Sequence, residues 1–442
     1  MFDPLRHSLA RVGPSFRHLL SCDGLTQLTV MIGQLALPWW IIHAGNTADL
    51  ATYGVVLAAV VLIGMPLLSP LGDRFAKRNL ICGAMGWYAV HAAALAWLAG
   101  RSQYHGGWLL ALAASQELAF CLYMPAASSI AAELVSSADL PLALNLQKGA
   151  ESAGRLLGPA LAGITLAAWG TAATLWIHAA LLVAAMLLAL KIPTGQRARD
   201  HVRNGWWPEL KAGMAPAWRV PVERGWLLVN TVSWLFMYPA ISMLVPVKVK
   251  ALGLSSVWLG TCEAAVSVGM LLGTLGLSQR IVNRVGRFYA RVGGGVSMGL
   301  TLAVVGFTAH PYVMTLAFFL TGLGSSVTTL VGLTHRTLAR PPAFRGRMSS
   351  AGFAITQVAS TLGPALAGVA LLHWAITPVY VVFGLLTAVT SSWLAWVPGF
   401  RHMMQLNHIE VDNWYGRNWP HVFAAADPMP AAQRDEHPTP PR

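Results

Sequence analysis

Two groups of residues in this sequence have the types and spacing to do chemistry. The first is a charged turn between apolar runs, Ser69-Pro70-Leu71-Gly72-Asp73-Arg74-Phe75-Ala76-Lys77-Arg78. A carboxylate at a tight turn, here Asp73, can face a helix N-terminus or a cation on another part of the fold. With Arg74, Lys77 and Arg78 beside it, such a turn can act as a gate whose contacts break when the parts move. The plainer reading is a set of basic residues marking a helix end. The second group lies inside apolar runs: Asp23, Glu117, Lys148, Glu151, Arg155 and Glu263. Charges in such places are costly and tend to serve ion or substrate pathways. Glu151 and Arg155 are spaced i,i+4, and Lys148 and Glu151 i,i+3, so each pair can meet on one helix face. The spacing fits a charged cluster lining a cavity and equally a local pair that makes an arginine tolerable. Glu117 and Glu263 have no partner nearby in sequence. A buried carboxyl without a fixed counter-charge can exchange protons near neutral pH, which is what proton coupling requires. A carboxyl kept neutral by a hydrogen bond is the other reading. Asp23 sits near a span end, where solvation is open to it. His43, His91, His178 and His373 read as packing or interfacial residues rather than proton relays.

The elements that must position these groups are membrane helices. Of 442 residues, 55% are apolar and 11% charged, against about a quarter charged in soluble domains. Apolar stretches of about 20 residues recur, the length that crosses a bilayer core, and backbone in lipid must satisfy its own hydrogen bonds as helix. The spans run approximately over 22–44, 50–70, 79–99, 107–127, 146–168, 171–191, 225–247, 254–277, 291–309, 312–333, 349–372 and 376–397. The N-terminal 21 residues are polar and basic without a small-residue cleavage site, so the first span reads as a retained helix. Of the 30 Lys and Arg, only Arg101, Lys248 and Lys250 fall in loops of one side, and Lys148 and Arg155 fall in the fifth span. The remainder lie on the other side, which the positive-inside rule makes cytoplasmic together with both termini. That placement accounts for the basic balance without nucleic acid. The four cysteines, Cys22, Cys82, Cys121 and Cys262, have no paired spacing, so neither a disulfide framework nor a metal site is expected. Eighteen tryptophans fall mostly near span ends, as interface anchors do. Trp87, Trp97, Trp234 and Trp258, with Phe120, Tyr123 and Tyr238, are candidates to line an apolar cavity.

The chain divides into 1–191, a first six-helix bundle; 192–224, a cytoplasmic linker; 225–397, a second bundle; and 398–442, a cytoplasmic tail whose end reads as disordered. The linker carries Trp206, Trp207 and Trp218 among basic residues and fits an interfacial tether or a lipid-sensing element. An internal repeat supports two halves. Leu157-Gly158-Pro159-Ala160-Leu161-Ala162-Gly163 recurs identically as Leu362-Gly363-Pro364-Ala365-Leu366-Ala367-Gly368, each in the fifth span of its half. Repeats of this kind underlie many secondary transporters.

With these residues the chain resembles the major facilitator superfamily over nearly its whole length. The turn at Asp73, Arg74, Lys77 and Arg78 is similar to that superfamily's signature loop, with Ser69 and Ala76 in place of glycines. Gly154-Arg155-Leu156-Leu157-Gly158-Pro159-Ala160-Leu161-Ala162-Gly163 resembles the motif of its antiporters, with Ala162 in place of one glycine. Gly154, Gly158 and Gly163 permit close helix approach, and Pro159 supplies a kink. Ala36-Leu37-Pro38-Trp39, Pro125-Ala126-Ala127-Ser128 and Ala132-Glu133-Leu134-Val135 look like the branch of enterobactin exporters and macrolide efflux proteins. The fourth span lacks the arginine that many proton-coupled drug antiporters carry. The resemblance implies an all-α membrane protein of about twelve helices in two pseudo-symmetric six-helix bundles. It implies an exporter of a siderophore or drug in a bacterial inner membrane, monomeric, using protons and no cofactor, with Glu117, Glu263, Glu151 and Arg155 as coupling candidates. An importer of a small metabolite and a non-transporting sensor are the alternatives. No metal-site or catalytic constellation suggests an enzyme, and no phosphate-binding Gly-x-x-x-x-Gly-Lys loop suggests ATP.

Overall fold

The computed structural model describes residues 13–68, 75–101, 104–135, 139–193 and 214–424 of the chain. Among them it is built from helices, with no strand. The first half opens with α1 (Gly13–Ala44), α2 (Thr47–Leu68), α3 (Lys77–Gly100) and α4 (Gly106–Leu134). A helical stretch, Leu140–Leu190, follows. Unbroken, it would reach ~75 Å, more than twice the thickness of a bilayer core. It leaves the helix at Gly170, where φ is 76° and ψ −178°, a conformation that glycine alone adopts freely. The stretch is therefore two crossings, α5 (140–169) and α6 (171–190).

The second half holds α7 (Pro221–Ala240), α8 (Leu244–Ala251), α9 (Ser256–Leu272), a π-helical turn (Gly273–Leu277), α10 (Ser278–Val285), α11 (Arg287–Phe307), α12 (Pro311–Ala339), α13 (Arg345–His373) and α14 (Ile376–Ser392). Pro221 and Pro311 open their helices, where the missing N–H costs nothing. α7 with α8 makes one crossing, and α9 with the π turn and α10 makes another. Eleven segments among the described residues are long and apolar enough to span. The break at Gly170 makes them twelve, the number expected from apolarity. Phe307 and Tyr312 are 74% and 78% exposed, as side chains are that face lipid. Packing within the halves relies on small residues: Gly299 and Gly384 bring the backbones of α11 and α14 into contact, the way helices associate where apolar burial gives no net drive.

Loops and helix ends at one end of the bundle carry most of the arginines and lysines of the described residues, and we call this the basic end. There the chain beyond α14 folds into α15 (Phe400–Gln405), α16 (His408–Val411), α17 (Trp414–Asn418) and α18 (Pro420–Ala424). These pack on the second half. Phe400, Met403 and Tyr415 are buried in one cluster with Trp226, the backbone N–H of Asn413 donates to Leu338 O at 2.9 Å, and Arg345 pairs with Asp412 at 2.6 Å. Residues 194–213 of the expected linker and 425–442 of the expected tail lie outside the described residues.

Candidate functional site

A cavity of about 280 Å³ lies between the halves. The first half contributes Thr26 and Gln34 from α1, Tyr53 from α2, Tyr88 from α3, Glu117, Phe120 and Tyr123 from α4 and His178 from α6. The second half contributes Tyr238 from α7 and Gln357, Ser360 and Thr361 from α13. Apolar walls, aliphatic and aromatic, with convergent polar groups are the pattern of a small-molecule site. Glu117 is the carboxylate in this lining, and Tyr53, Tyr88 and Tyr238 lie within its Coulombic reach. Of the aromatics that the sequence put forward, Phe120, Tyr123 and Tyr238 line this cavity. Trp234 lines a second pocket, and Trp258 packs edge-on against Tyr312 at 5.1 Å. Trp87 and Trp97 point outward.

The glycine motif of α5 divides its work between two faces. A Cβ on Gly158 would lie 2.6 Å from that of Met31 on α1, and one on Gly154 would strike the Gly24 carbonyl of the same helix. Gly163 faces the other half: a Cβ there would lie 2.8 Å from Gly260 Cα on α9. The repeated copy on α13 does the same. Gly363 presses on α7, where a Cβ would lie 2.6 Å from Leu235 O, and Gly368 crosses to the first half, where a Cβ would lie 2.5 Å from Ala51 Cα on α2. In each copy the first glycine fixes the fifth helix to the first helix of its own half. The second glycine makes a seam with the opposite half. Gly260 and Ala51, the partners across the seams, carry no motif and went unnoticed in the sequence.

Glu263 stands on the α5–α9 seam. Ser256, Gly260, Glu263 and Ser267 are spaced 4, 3 and 4 apart and so share one face of α9. On that face Ser256 Oγ donates to Gly163 O and Ser267 Oγ to Arg155 O, each at 3.4 Å. Glu263 and Arg155, like Glu117, lie within Coulombic reach of Tyr238. The four coupling candidates are thus split. Glu151 accepts from Lys148 at 2.6 Å on the surface of α5, which takes the i,i+3 option over the i,i+4 one. Asp23 is buried and accepts from Gln147 Nε2 at 2.8 Å, rather than lying in solvent. The side chain of Lys250, at the end of α8, donates to Ile42 O of α1 across the halves at the end opposite the basic one.

At the basic end, Asp73 and Arg74 lie outside the described residues. Lys77 pairs with Glu133 at 2.6 Å and Arg78 donates to Ile192 O at 3.4 Å, so the start of α3 is tied to the ends of α4 and α6. A cluster that sequence reasoning missed sits in the second half. Glu223, with no exposure, accepts from Arg336 Nη2 at 2.7 Å and Arg340 Nη2 at 2.6 Å, and from the Tyr415 hydroxyl at 3.1 Å. Burial, then the Glu223 carboxylate, push the Tyr415 phenol up, so it stays protonated and donates. The one signal for this cluster was a lone glutamate among the basic residues just before the seventh apolar run.

The geometry is two helical halves, a cavity between them and two small-residue seams. The fold is shared with solved transporters. A mutant of the nucleoside transporter NupG superposes with a TM-score of 0.69 at 13% identity, covering 89% of this chain and 100% of that one. A bacterial homologue of the human lysosomal transporter Spinster, in an inward-facing and unoccupied conformation, gives 0.64 at 14%, covering 95% and 100%. A peptide transporter, POT, gives 0.65 at 15%, covering 88% and 95%. No curated protein matches by sequence. Residues 19–328, well over half the chain, match the model of the Major Facilitator Superfamily, and the chain belongs to that superfamily as a multi-pass membrane transporter.

Proposed function

We propose that this transporter exports a small amphipathic molecule, a siderophore or a drug of the kind handled by enterobactin exporters and macrolide efflux proteins, in exchange for protons across a bacterial inner membrane. The observation that carries the reading is Glu117 in the lining of a mostly apolar cavity between the halves, with Glu263 on the seam beside it. A carboxyl in such a cavity takes a proton when the cavity faces the acidic side and gives it up when it faces the cytoplasm. Protonation of Glu117 in the outward state disfavours a cationic or polar cargo and promotes its release. Neutral Glu263 is cheaper to enclose in the closed seam than its anion. Arginine-rich loops support a cytoplasmic basic end. The described inter-half contacts, from Ser267–Arg155 through Gly163–Gly260 to Lys250–Ile42, run from mid-membrane to the opposite end, as in a state closed to the outside. Lys77 and Arg78, with Asp73 and Arg74, belong to the cytoplasmic gate in this account. Both halves of the cavity come from one chain, which supports a working monomer.

The test uses everted membrane vesicles energised to an acidic interior and offered enterobactin or a macrolide. Uptake that collapses with a protonophore, and that is absent with Glu117→Gln, is the expected result. Uptake indifferent to the protonophore removes proton exchange, and uptake driven only in right-side-out vesicles makes the protein an importer.

A further inference from the structure

A second pocket, of about 350 Å³, lies within the second half toward the basic end. It is lined from α7, α11, α12, α13 and α14 and shares no lining residue with the cavity between the halves. Trp234, whose Nε1 donates to Ser360 Oγ at 2.5 Å, stands between the two.

Three guanidinium groups line this pocket: Arg291 on α11, Arg336 on α12 and Arg340 just beyond it. One carboxylate, Glu223, answers Arg336 and Arg340. Arg291 is 6% exposed and has no acidic partner among the described residues: its Nη2 donates to Asn230 Oδ1 at 3.0 Å, and its guanidinium carbon lies 5.1 Å from the centre of the Trp226 ring. Arg336 lies 5.3 Å from that same ring. The buried Nε atoms of Arg291 and Arg340 have no protein partner among the described residues. The other carboxylates of residues 214–424 are engaged or distant. Asp412 holds Arg345, Glu410 caps the turn at Asn407, and Glu263 stands on the α9 seam. Among the described residues, three cations and one anion leave an excess of two positive charges in a buried site, where unpaired charge is expensive. Hydroxyls complete the wall, among them Ser233, Thr328 and Ser391. Guanidinium forks with hydroxyl donors match the planar or tetrahedral oxygens of an oxyanion.

We propose that this pocket binds a small oxyanion, a phosphate or carboxylate group entering from the basic end, with Arg291 as its principal partner. The anion neutralises the excess charge and links α11 to α7 and α12. It belongs to one half alone, so its binding does not depend on the cargo, the direction of transport or the coupling ion. The group arrives free in solution or on a phospholipid headgroup, and the same donors serve both.

The full-length protein in neutral detergent is titrated with sodium phosphate, ionic strength being held with sodium chloride, and in parallel with micelles of phosphatidylglycerol against phosphatidylcholine. Thermal unfolding and hydrogen exchange are the readouts. We expect a saturable rise in unfolding temperature with slowed exchange at the basic ends of α11 and α12. Arg291→Gln should weaken the apparent affinity by about tenfold or more, the loss of one charge-assisted contact, and Arg291→Lys should restore part of it. Arg284→Gln, an exposed arginine outside the pocket, should titrate as the unaltered protein does. Saturation by phosphatidylglycerol but not phosphate, with the same dependence on Arg291, supports the site and assigns its anion to a headgroup. A response unaffected by Arg291→Gln, or no saturation with either probe, overturns the proposal. If Arg291→Gln does not fold, the unaltered protein decides: no slowing of exchange at α11 and α12 under either probe overturns it equally.

Discussion

Glu223 is a fully buried carboxylate and Glu117 a half-buried one in the cavity lining, and their surroundings give them opposite roles. Glu223 is fixed by two guanidinium groups and a phenol, so it is a permanent anion that holds α7, α12 and the tail together. Removing it leaves Arg336 and Arg340 buried without their counter-charge, a loss of about 3–5 kcal/mol for a pair broken on one side. Glu223→Gln should therefore lower the unfolding temperature in detergent sharply. Tyr415→Phe removes only one hydrogen bond to a charged group, worth about 1.5–3 kcal/mol, and should give a smaller drop. Equal unfolding temperatures for Glu223→Gln and the unaltered protein would mean that the cluster carries no stability. Glu117 has neutral phenols around it and no cation fixed on it among the described residues, which leaves it free to change charge. Glu117→Gln should abolish gradient-driven transport while leaving thermal stability unchanged or higher, since an amide costs less to bury than a carboxylate. Glu117 was legible in the sequence because an acidic residue in an apolar run stands out wherever its side chain points. The Glu223 cluster was not, because Arg336 and Arg340 lie 113 and 117 residues further along the chain and only folding brings them together.

At the scale of the helix, the two fifth-position helices carry the account. The repeated Leu-Gly-Pro-Ala-Leu-Ala-Gly was readable as a mark of two halves. Its division of labour was not, because the faces that Gly158 and Gly163 present depend on which helix lies opposite. Since Gly163 and Gly368 form equivalent seams, they should respond alike to substitution. Gly163→Leu or Gly368→Leu forces a side chain into backbone, with an overpacking cost of about 1–3 kcal/mol that falls on the outside-closed state alone. Each should raise the labelling rate of a cysteine placed near the outer end of the cavity by a membrane-impermeant maleimide. Gly149→Leu, at an open position of α5, should not. Labelling unchanged in both seam variants would show that the seams do not hold the outer side shut. The fifth and sixth helices illustrate a different limit. Apolarity alone separated them near residue 170, and the structure supplies the cause in the backbone of Gly170.

For the whole molecule, the halves are rigid where small residues lock helix to helix, and they meet along α2–α13 and α5–α9 with the cavity between. That arrangement suits rocking: both seams lie toward the end opposite the basic one, and the tail and the Lys77–Glu133 tie brace the basic ends of separate halves. The central claim is that the halves alternate about these seams under control of the carboxyls of Glu117 and Glu263. It is tested most directly by double electron–electron resonance between spin labels at Thr47→Cys and Ser255→Cys, beside the outer contact of Lys250 with Ile42, in a protein whose four native cysteines are replaced. In reconstituted protein the account predicts two distance populations whose ratio changes between pH 5 and pH 8, and a ratio that no longer responds once Glu117→Gln and Glu263→Gln are both introduced. One distance, the same at every pH and in the double variant, would contradict it.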